Sequence, residues 1–142
     1  MARVLESVLM PFEASKIYEI VNDVGSYSEF LPWCIGSKVI EEDDESMRAS
    51  ITIRKGGFSY SLTTNNRLVF GRSISLEFSE GPFKYLKGAW SFDTTESGCQ
   101  VRLELDFEAE NKLLDIALNA ASKPVATTLM RSFRNRAFEL LG

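Results

Sequence analysis

Hydrophobic and polar residues alternate along the middle of the chain, and this alternation predicts a β-sheet with one buried face. Every second residue is apolar between positions 47 and 54, and the same period returns between positions 101 and 108. Shorter stretches with this period begin near residues 35, 58, 74 and 86. Lys55-Gly56-Gly57 predicts a hairpin turn before the stretch at residue 58, and Ser97-Gly98 predicts the turn into the last strand. Such alternation is typical of antiparallel strands that bury one face and expose the other to water. With a first strand over residues 2–10, the pattern predicts about six to seven strands.

Helical periodicity appears between the first strand and the second. Apolar residues recur at three- and four-residue spacing over residues 14–24, which predicts an amphipathic helix. A capping-box pattern follows, in which Ser26 would cap a helix and Glu29 would reach back to it. A short second helix should therefore run to about Leu31 and stop at Pro32.

The longest periodic segment begins after Asn111 and predicts one long C-terminal helix. Because Pro124 lies within it, we expect a kink or a break near residues 120–123. The simplest α+β arrangement for this order of elements is a single domain, residues 1–142, with a curved antiparallel sheet wrapped around the C-terminal helix. The predicted apolar stripe of that helix is Leu114, Leu118, Ala121, Val125, Leu129, Phe133, Ala137 and Leu140.

Small residues of the long helix are predicted to face large aromatic residues of the sheet. These small residues are Ala117, Ala120, Ala121 and Ala126. One interpretation is a packed core, and the other is a cavity that the alanines and the proline leave unfilled; the pattern favours neither. The candidate cavity residues are Phe58, Tyr60, Phe78, Trp90 and Phe92 from the sheet, with Ala117, Leu118, Ala121, Val125 and Leu129 from the helix.

Residues 27–35 concentrate large apolar side chains beside two helix-breaking signals. A buried connector would explain part of this composition. A lid over a cavity mouth, or an edge that touches a membrane, explains it slightly better. The candidate lid residues are Phe30, Leu31 and Trp33.

Composition indicates an ordinary globular protein with few signs of catalysis. The chain has 142 residues, 44% of them hydrophobic and 25% charged, and a net charge of −4, which argues against a general binder of nucleic acid such as DNA. No stretch predicts a secretory signal or a spanning helix, so we expect a soluble cytoplasmic protein, with peripheral contact at the inner membrane as an open alternative.

The sequence contains no histidine, which removes the commonest general base and metal ligand. Cys34 and Cys99 lie far apart, so we expect two reduced thiols and neither a disulfide nor a metal site. Asp23 and Glu29 are the best guesses for a titratable pocket group, but no carboxylates have a recognisable catalytic spacing. We therefore expect no enzyme activity, and an aromatase or cyclase is the third hypothesis.

The C-terminal half of the long helix is basic. Its charged residues between Asp115 and Glu139 are only Lys123, Arg131, Arg134 and Arg136. Such a run is usually a solvated face near a helix C-terminus. The alternative is a patch that binds phosphates, either of ribosomal RNA or of anionic lipid.

Three segments resemble a known family. NDVGSYSEFLPWC (22–34), GPFKYLKGAWSF (81–92) and DFEAENKLLDIAL (106–118) together resemble the START-like polyketide cyclase/dehydrase superfamily. The match is to the branch of the coenzyme Q-binding proteins and the ribosome association toxin A (RatA) family, and it covers nearly the whole chain. Ser28 departs from the family, which usually has proline there; we expect a looser helix start and unchanged chemistry.

The resemblance implies a helix-grip fold with a hydrophobic cavity between the sheet and the C-terminal helix. It also implies binding of ubiquinone or another polyprenyl lipid in support of respiration, with no cofactor required. For the bacterial branch it implies interference with the association of ribosomal subunits. The preferred hypothesis from the sequence is a non-enzymatic carrier of an apolar small molecule, and a ribosome-associating toxin is the alternative.

Overall fold

The structure, a computed structural model, describes residues 2–55 and 57–142 of the chain. Within these residues the order of elements agrees with the prediction: a strand, two short helices, six strands and a long helix. The strands are β1 (Ala2–Met10), β2 (Cys34–Glu42), β3 (Ser46–Lys55), β4 (Phe58–Val69), β5 (Ser73–Glu80), β6 (Phe83–Thr95) and β7 (Gly98–Ala109). The helices are α1 (Ala14–Asn22), a 3₁₀ helix (Val24–Glu29) and α2 (Lys112–Leu141).

The seven described strands form one antiparallel sheet in the order β1-β7-β6-β5-β4-β3-β2. Consecutive hairpins join β2 through β7, and β1 closes the other end by pairing with β7, with Val8 opposite Val101. The alternation in β7 places Val101 and Leu103 in the core and leaves Arg102 exposed, as the sequence predicted. The α+β prediction is therefore confirmed. The hairpin turn predicted at Lys55-Gly56-Gly57 includes Gly56, which lies outside the described residues.

Irregular pairing accompanies the curvature of the sheet. The register shifts between Thr63 and Thr64 in β4 and between Phe83 and Tyr85 in β6, and β2 shifts twice against β3. Such bulges bend a strand and increase its local twist. The sheet can therefore curve toward α2 and enclose space on its buried face.

Gly98 marks the tight turn into β7 that the sequence predicted. Its φ is +155°, and a Cβ placed there would lie 2.1 Å from the backbone oxygen of Met10. A larger residue would collide with the end of β1, so glycine is required for β1 and β7 to meet.

The short helix that follows α1 differs from the prediction. It is a 3₁₀ helix that ends at Glu29, before Leu31, and its N-cap is Asp23, which makes no side-chain cap hydrogen bond. The predicted capping box is therefore wrong. The carboxylate of Glu29 instead binds Arg136, which is far away in sequence and invisible to a local pattern.

Helix α2 is continuous from Lys112 to Leu141, so the expected break near residues 120–123 is wrong. The Asn111 side chain caps its start by accepting a hydrogen bond from the Leu114 amide at 2.8 Å. Most of the predicted stripe faces inward, but Leu140 is 56% exposed. The stripe omitted two residues that the structure buries, Ala126 and Met130.

Candidate functional site

An apolar cavity of about 230 Å³ lies between α2 and the concave face of the sheet. Helix α2 makes its main backbone contacts with β1, β7 and α1, and it stands off from the strands at the other end of the sheet. The gap therefore opens over β3–β6. Its described lining also includes Val24, Tyr27, Leu31 and Trp33 from the segment between α1 and β2.

Eight of the candidate residues from the sequence line this cavity. They come from three separate regions of the chain, and the fold brings them together. They are Leu31 and Trp33 near the 3₁₀ helix, Tyr60 and Trp90 on the sheet, and Leu118, Ala121, Val125 and Leu129 on α2.

Four other candidates lie elsewhere. Phe92 is buried with its ring 5.7 Å from the ring of Tyr18 on α1, so it belongs to the core beneath that helix. Phe78 packs against Phe83, at 6.1 Å between ring centroids, and takes no part in the lining. Ala117 and Phe30 are also absent from the lining, and the side chain of Phe58 lies outside the described part of the chain.

Several lining residues were not among the candidates, although the alternation of apolar residues could have identified them. Leu103, Leu105 and Phe107 were predicted to face inward from β7, and all three line the cavity. Thr64, Asn66 and Ser122 had no such signal, because polar residues are not expected in an apolar lining. Ala126, one of the small residues noted on the long helix, also lines the cavity. Other lining residues that were not singled out are Val4, Ala49, Ile51, Ile53, Leu62, Leu76, Phe83 and Leu86.

An aromatic cluster fastens the 3₁₀ helix to α2. Phe133 is 1% exposed, and its ring lies 5.4 Å from that of Tyr27, 5.3 Å from that of Phe30 and 5.3 Å from that of Trp90. The Tyr27 hydroxyl donates to the backbone oxygen of Val21. Edge-to-face ring pairs add stabilisation beyond the area they bury. The segment predicted as a lid is therefore anchored to the helix that forms the opposite wall.

Arg136 adds a polar contact at the same place. Its guanidinium donates to Glu29 Oε1 at 3.2 Å, and it lies 5.0 Å from the centre of the Phe30 ring. The Arg136 side chain is only 18% exposed. Arg136 therefore faces away from Arg131 and Arg134, which are exposed, so the four basic residues of α2 do not form one continuous patch.

Polar groups are few in the described lining, and none of them is charged. The Thr64 hydroxyl donates to Asn66 Oδ1 at 2.8 Å, and the Ser122 hydroxyl donates to the Asn119 backbone oxygen at 2.9 Å. Trp33 is 8% exposed, and its buried indole Nε1 has no hydrogen-bond partner within the described chain. Burial raises the pKa of the Tyr60 hydroxyl, which keeps it neutral.

Within the described residues, the candidate carboxylates and both thiols lie away from the lining. Asp23 and Glu29, the guesses for a titratable pocket group, are exposed and do not line the cavity. Cys34 and Cys99 are free and buried, and burial raises the pKa of both thiols. The described residues contain no cluster of side chains suited to a metal ion. Among the same residues, no helix combines the length and apolarity that crossing a bilayer requires.

Known proteins resemble this chain along nearly its whole length. A relative in Pseudomonas aeruginosa, named ribosome association toxin RatA, is 40% identical over 96% of this chain and 95% of its own. The mitochondrial coenzyme Q-binding protein coq10 of Schizosaccharomyces pombe is 29% identical over 92% of this chain and 84% of its own.

Solved structures and a family model agree on the fold. The Zhui aromatase/cyclase from Streptomyces sp. R1128 superimposes with a TM-score of 0.88 over 99% of this chain and 95% of its own, at 18% identity. That similarity confirms the START-like helix-grip architecture. Residues 10–134 match the family model described as polyketide cyclase / dehydrase and lipid transport. With this match and these relatives, the chain belongs to the polyketide cyclase/dehydrase and lipid transport family.

Proposed function

We propose that the protein is a non-enzymatic carrier that binds the ring of a polyprenyl quinone, or a similar apolar lipid, between α2 and the sheet. The observation that carries this proposal is the cavity of about 230 Å³, whose described lining is apolar apart from a few neutral polar groups. Ligand pockets of this kind combine apolar walls with a small number of orienting polar groups. The relative named for coenzyme Q binding supports the same class of ligand.

The volume limits how much of such a ligand fits inside. Pockets for drug-sized molecules begin at about 300 Å³, and a cavity of about 150 Å³ already accepts benzene. A cavity of about 230 Å³ therefore suits one substituted ring with a few further carbon atoms. The remainder of a polyprenyl tail would extend beyond it or would require α2 to move outward.

The free energies favour a ligand that exchanges. Each buried CH₂ group contributes about 0.8 kcal/mol, so a ring with a few further carbon atoms, roughly eight carbons, gains about 6 kcal/mol relative to water. Association costs roughly 4–15 kcal/mol, and a bilayer competes for the same ligand. Net binding should be modest and reversible, which suits a protein that delivers its ligand and does not store it.

The first test is a titration of the purified protein with a short-chain ubiquinone. Both tryptophans of the chain, Trp33 and Trp90, line the cavity, so a bound quinone should quench the intrinsic fluorescence in a saturable manner. Lipid extracted from the purified protein should contain quinone or isoprenoid at substantial occupancy. If quenching does not saturate and the extract holds only traces of phospholipid, the proposal is wrong.

A second candidate function is association with the ribosome. It is favoured by relatives named ribosome association toxin that match nearly the whole chain, and by the exposed side chains of Lys123, Arg131 and Arg134. These cations would meet phosphates of ribosomal RNA, and such contacts weaken steeply as salt rises.

Cosedimentation with ribosomal subunits tests the second candidate. The wild type should sediment with subunits at low salt, and Arg131→Glu combined with Arg134→Glu should abolish this association. Arg102→Glu with Lys38→Glu is the control, because both residues are exposed on strands and lie outside α2. Association that survives the α2 reversal would exclude this surface as the contact.

A further inference from the structure

The first half of α2 is apolar on the face that points away from the cavity. Leu113 is 77% exposed and Ile116 is 59% exposed, and the exposed Ala120 continues the same face at helical spacing. On the same turns, Leu118 and Ala121 line the cavity from the opposite face. This half of the helix is therefore apolar on both sides.

A surface helix of a globular protein normally has one apolar face and one polar face. Here the inward face meets a partly empty cavity, and the outward face meets water. Neither the partly empty cavity nor water buries these apolar side chains as a packed protein core would. The arrangement suits a helix whose outer face meets a second apolar phase.

The charges on this face point to the nature of that phase. Lys123, Arg131 and Arg134 are exposed along the outer side of α2. The acidic residues of α2 are Asp115 and Glu139, and neither belongs to this surface: Asp115 Oδ1 accepts from the Ala109 amide at 3.0 Å, and Glu139 lies 4.0 Å from Arg136. A chain with a net charge of −4 thus presents a purely basic group of side chains beside an apolar one.

We infer that the outer face of α2, formed by Leu113, Ile116, Ala120, Lys123, Arg131 and Arg134, docks on an anionic lipid bilayer. The apolar side chains would enter the boundary between headgroups and acyl chains, and the cations would bind lipid phosphates, as in helices that lie in a membrane interface. The docking itself is independent of the proposed function. A second step, in which the cavity takes its ligand directly from the bilayer, rests on the proposed function.

Docking by this face would place the wall of the cavity against the source of its ligand. The residues that would touch lipid and the residues that line the cavity alternate on the same turns of α2. A displacement of this half of the helix toward the bilayer would open the cavity to acyl chains and not to water. An apolar ligand could then enter without crossing the aqueous phase.

Flotation with quinone-free vesicles tests the docking alone. The wild type should float with phosphatidylcholine vesicles that contain phosphatidylglycerol, and less with phosphatidylcholine alone. Leu113→Gln combined with Ile116→Gln should lower the bound fraction about tenfold or more. The matched control is Leu5→Gln with Leu9→Gln on β1, where the exposed fractions are 57% and 64%, and its binding should equal that of the wild type. Arg131→Gln with Arg134→Gln should remove the preference for anionic vesicles.

Three outcomes would overturn the docking inference. The first is that the wild type does not float with anionic vesicles. The second is that the Leu113/Ile116 variant floats as well as the wild type does. The third is that no protein binds vesicles and the same variant converts a dimer into a monomer, which would assign the face to a second copy of the chain. Because no quinone is present, these outcomes are separate from failure of the proposed function, which the titration in solution reports.

Discussion

Ala121→Trp should abolish quinone binding while the protein still folds. Ala121 lines the cavity from α2, and an indole in its place would fill much of the space of about 230 Å³. Because the cavity can receive the ring, the cost in stability should stay within about 1–3 kcal/mol. We expect the affinity for a short-chain ubiquinone to fall at least about 100-fold, as loss of most of the buried ring contacts predicts. Fluorescence titration and thermal unfolding measure the two effects.

Ala120→Trp provides the control for this substitution. Ala120 is the adjacent residue and is exposed on the outer side of the same helix, so the same side chain is added outside the cavity. Binding of the soluble quinone should remain at the wild-type level in the absence of vesicles. If Ala121→Trp binds quinone as well as Ala120→Trp does, the ligand does not occupy this cavity.

Phe133→Ala should cause the largest loss of stability, about 3–5 kcal/mol in the free energy of unfolding. Phe133 is 1% exposed and joins three other rings, those of Tyr27, Phe30 and Trp90. Its removal leaves a void where α2, the 3₁₀ helix and β6 meet. Urea denaturation followed by circular dichroism measures the change.

Phe138→Ala is the matched control on the same helix. Phe138 is 41% exposed and has a ring contact with Phe12 at 5.1 Å, so less packing is lost. We expect a loss of about 1 kcal/mol, in the range usual for partly exposed sites. Losses of equal size in the two variants would show that the ring cluster is not a principal part of the core.

The fold was predictable from the sequence because its main signals are local. The alternation in β7 and the helical spacing in α2 each specify which face is buried, and both agree with the structure. The order of the elements then leaves few ways to cover the sheet. The family resemblance added the helix-grip architecture and the expectation of a cavity.

The details of the site were less predictable because they depend on distant contacts. Trp90 and Phe92 share one face of β6, yet Trp90 lines the cavity while Phe92 packs beneath α1. Only the position of α1 separates the two, and no local pattern encodes it. The same is true of Glu29, whose partner Arg136 lies 107 residues away and replaces the predicted helix cap.

The place of β1 at the edge of the sheet has a consequence for biosynthesis. Strand β1 is made before the other described strands of the sheet, yet it pairs with β7, which is made after all of them. Until then its apolar side chains, such as those of Val4, Val8 and Met10, have no strand to join. Pairings of such long sequence separation form slowly and expose unfolded segments to aggregation. Nascent chains of this protein should therefore need a chaperone to shield the β1 segment until β7 has been made.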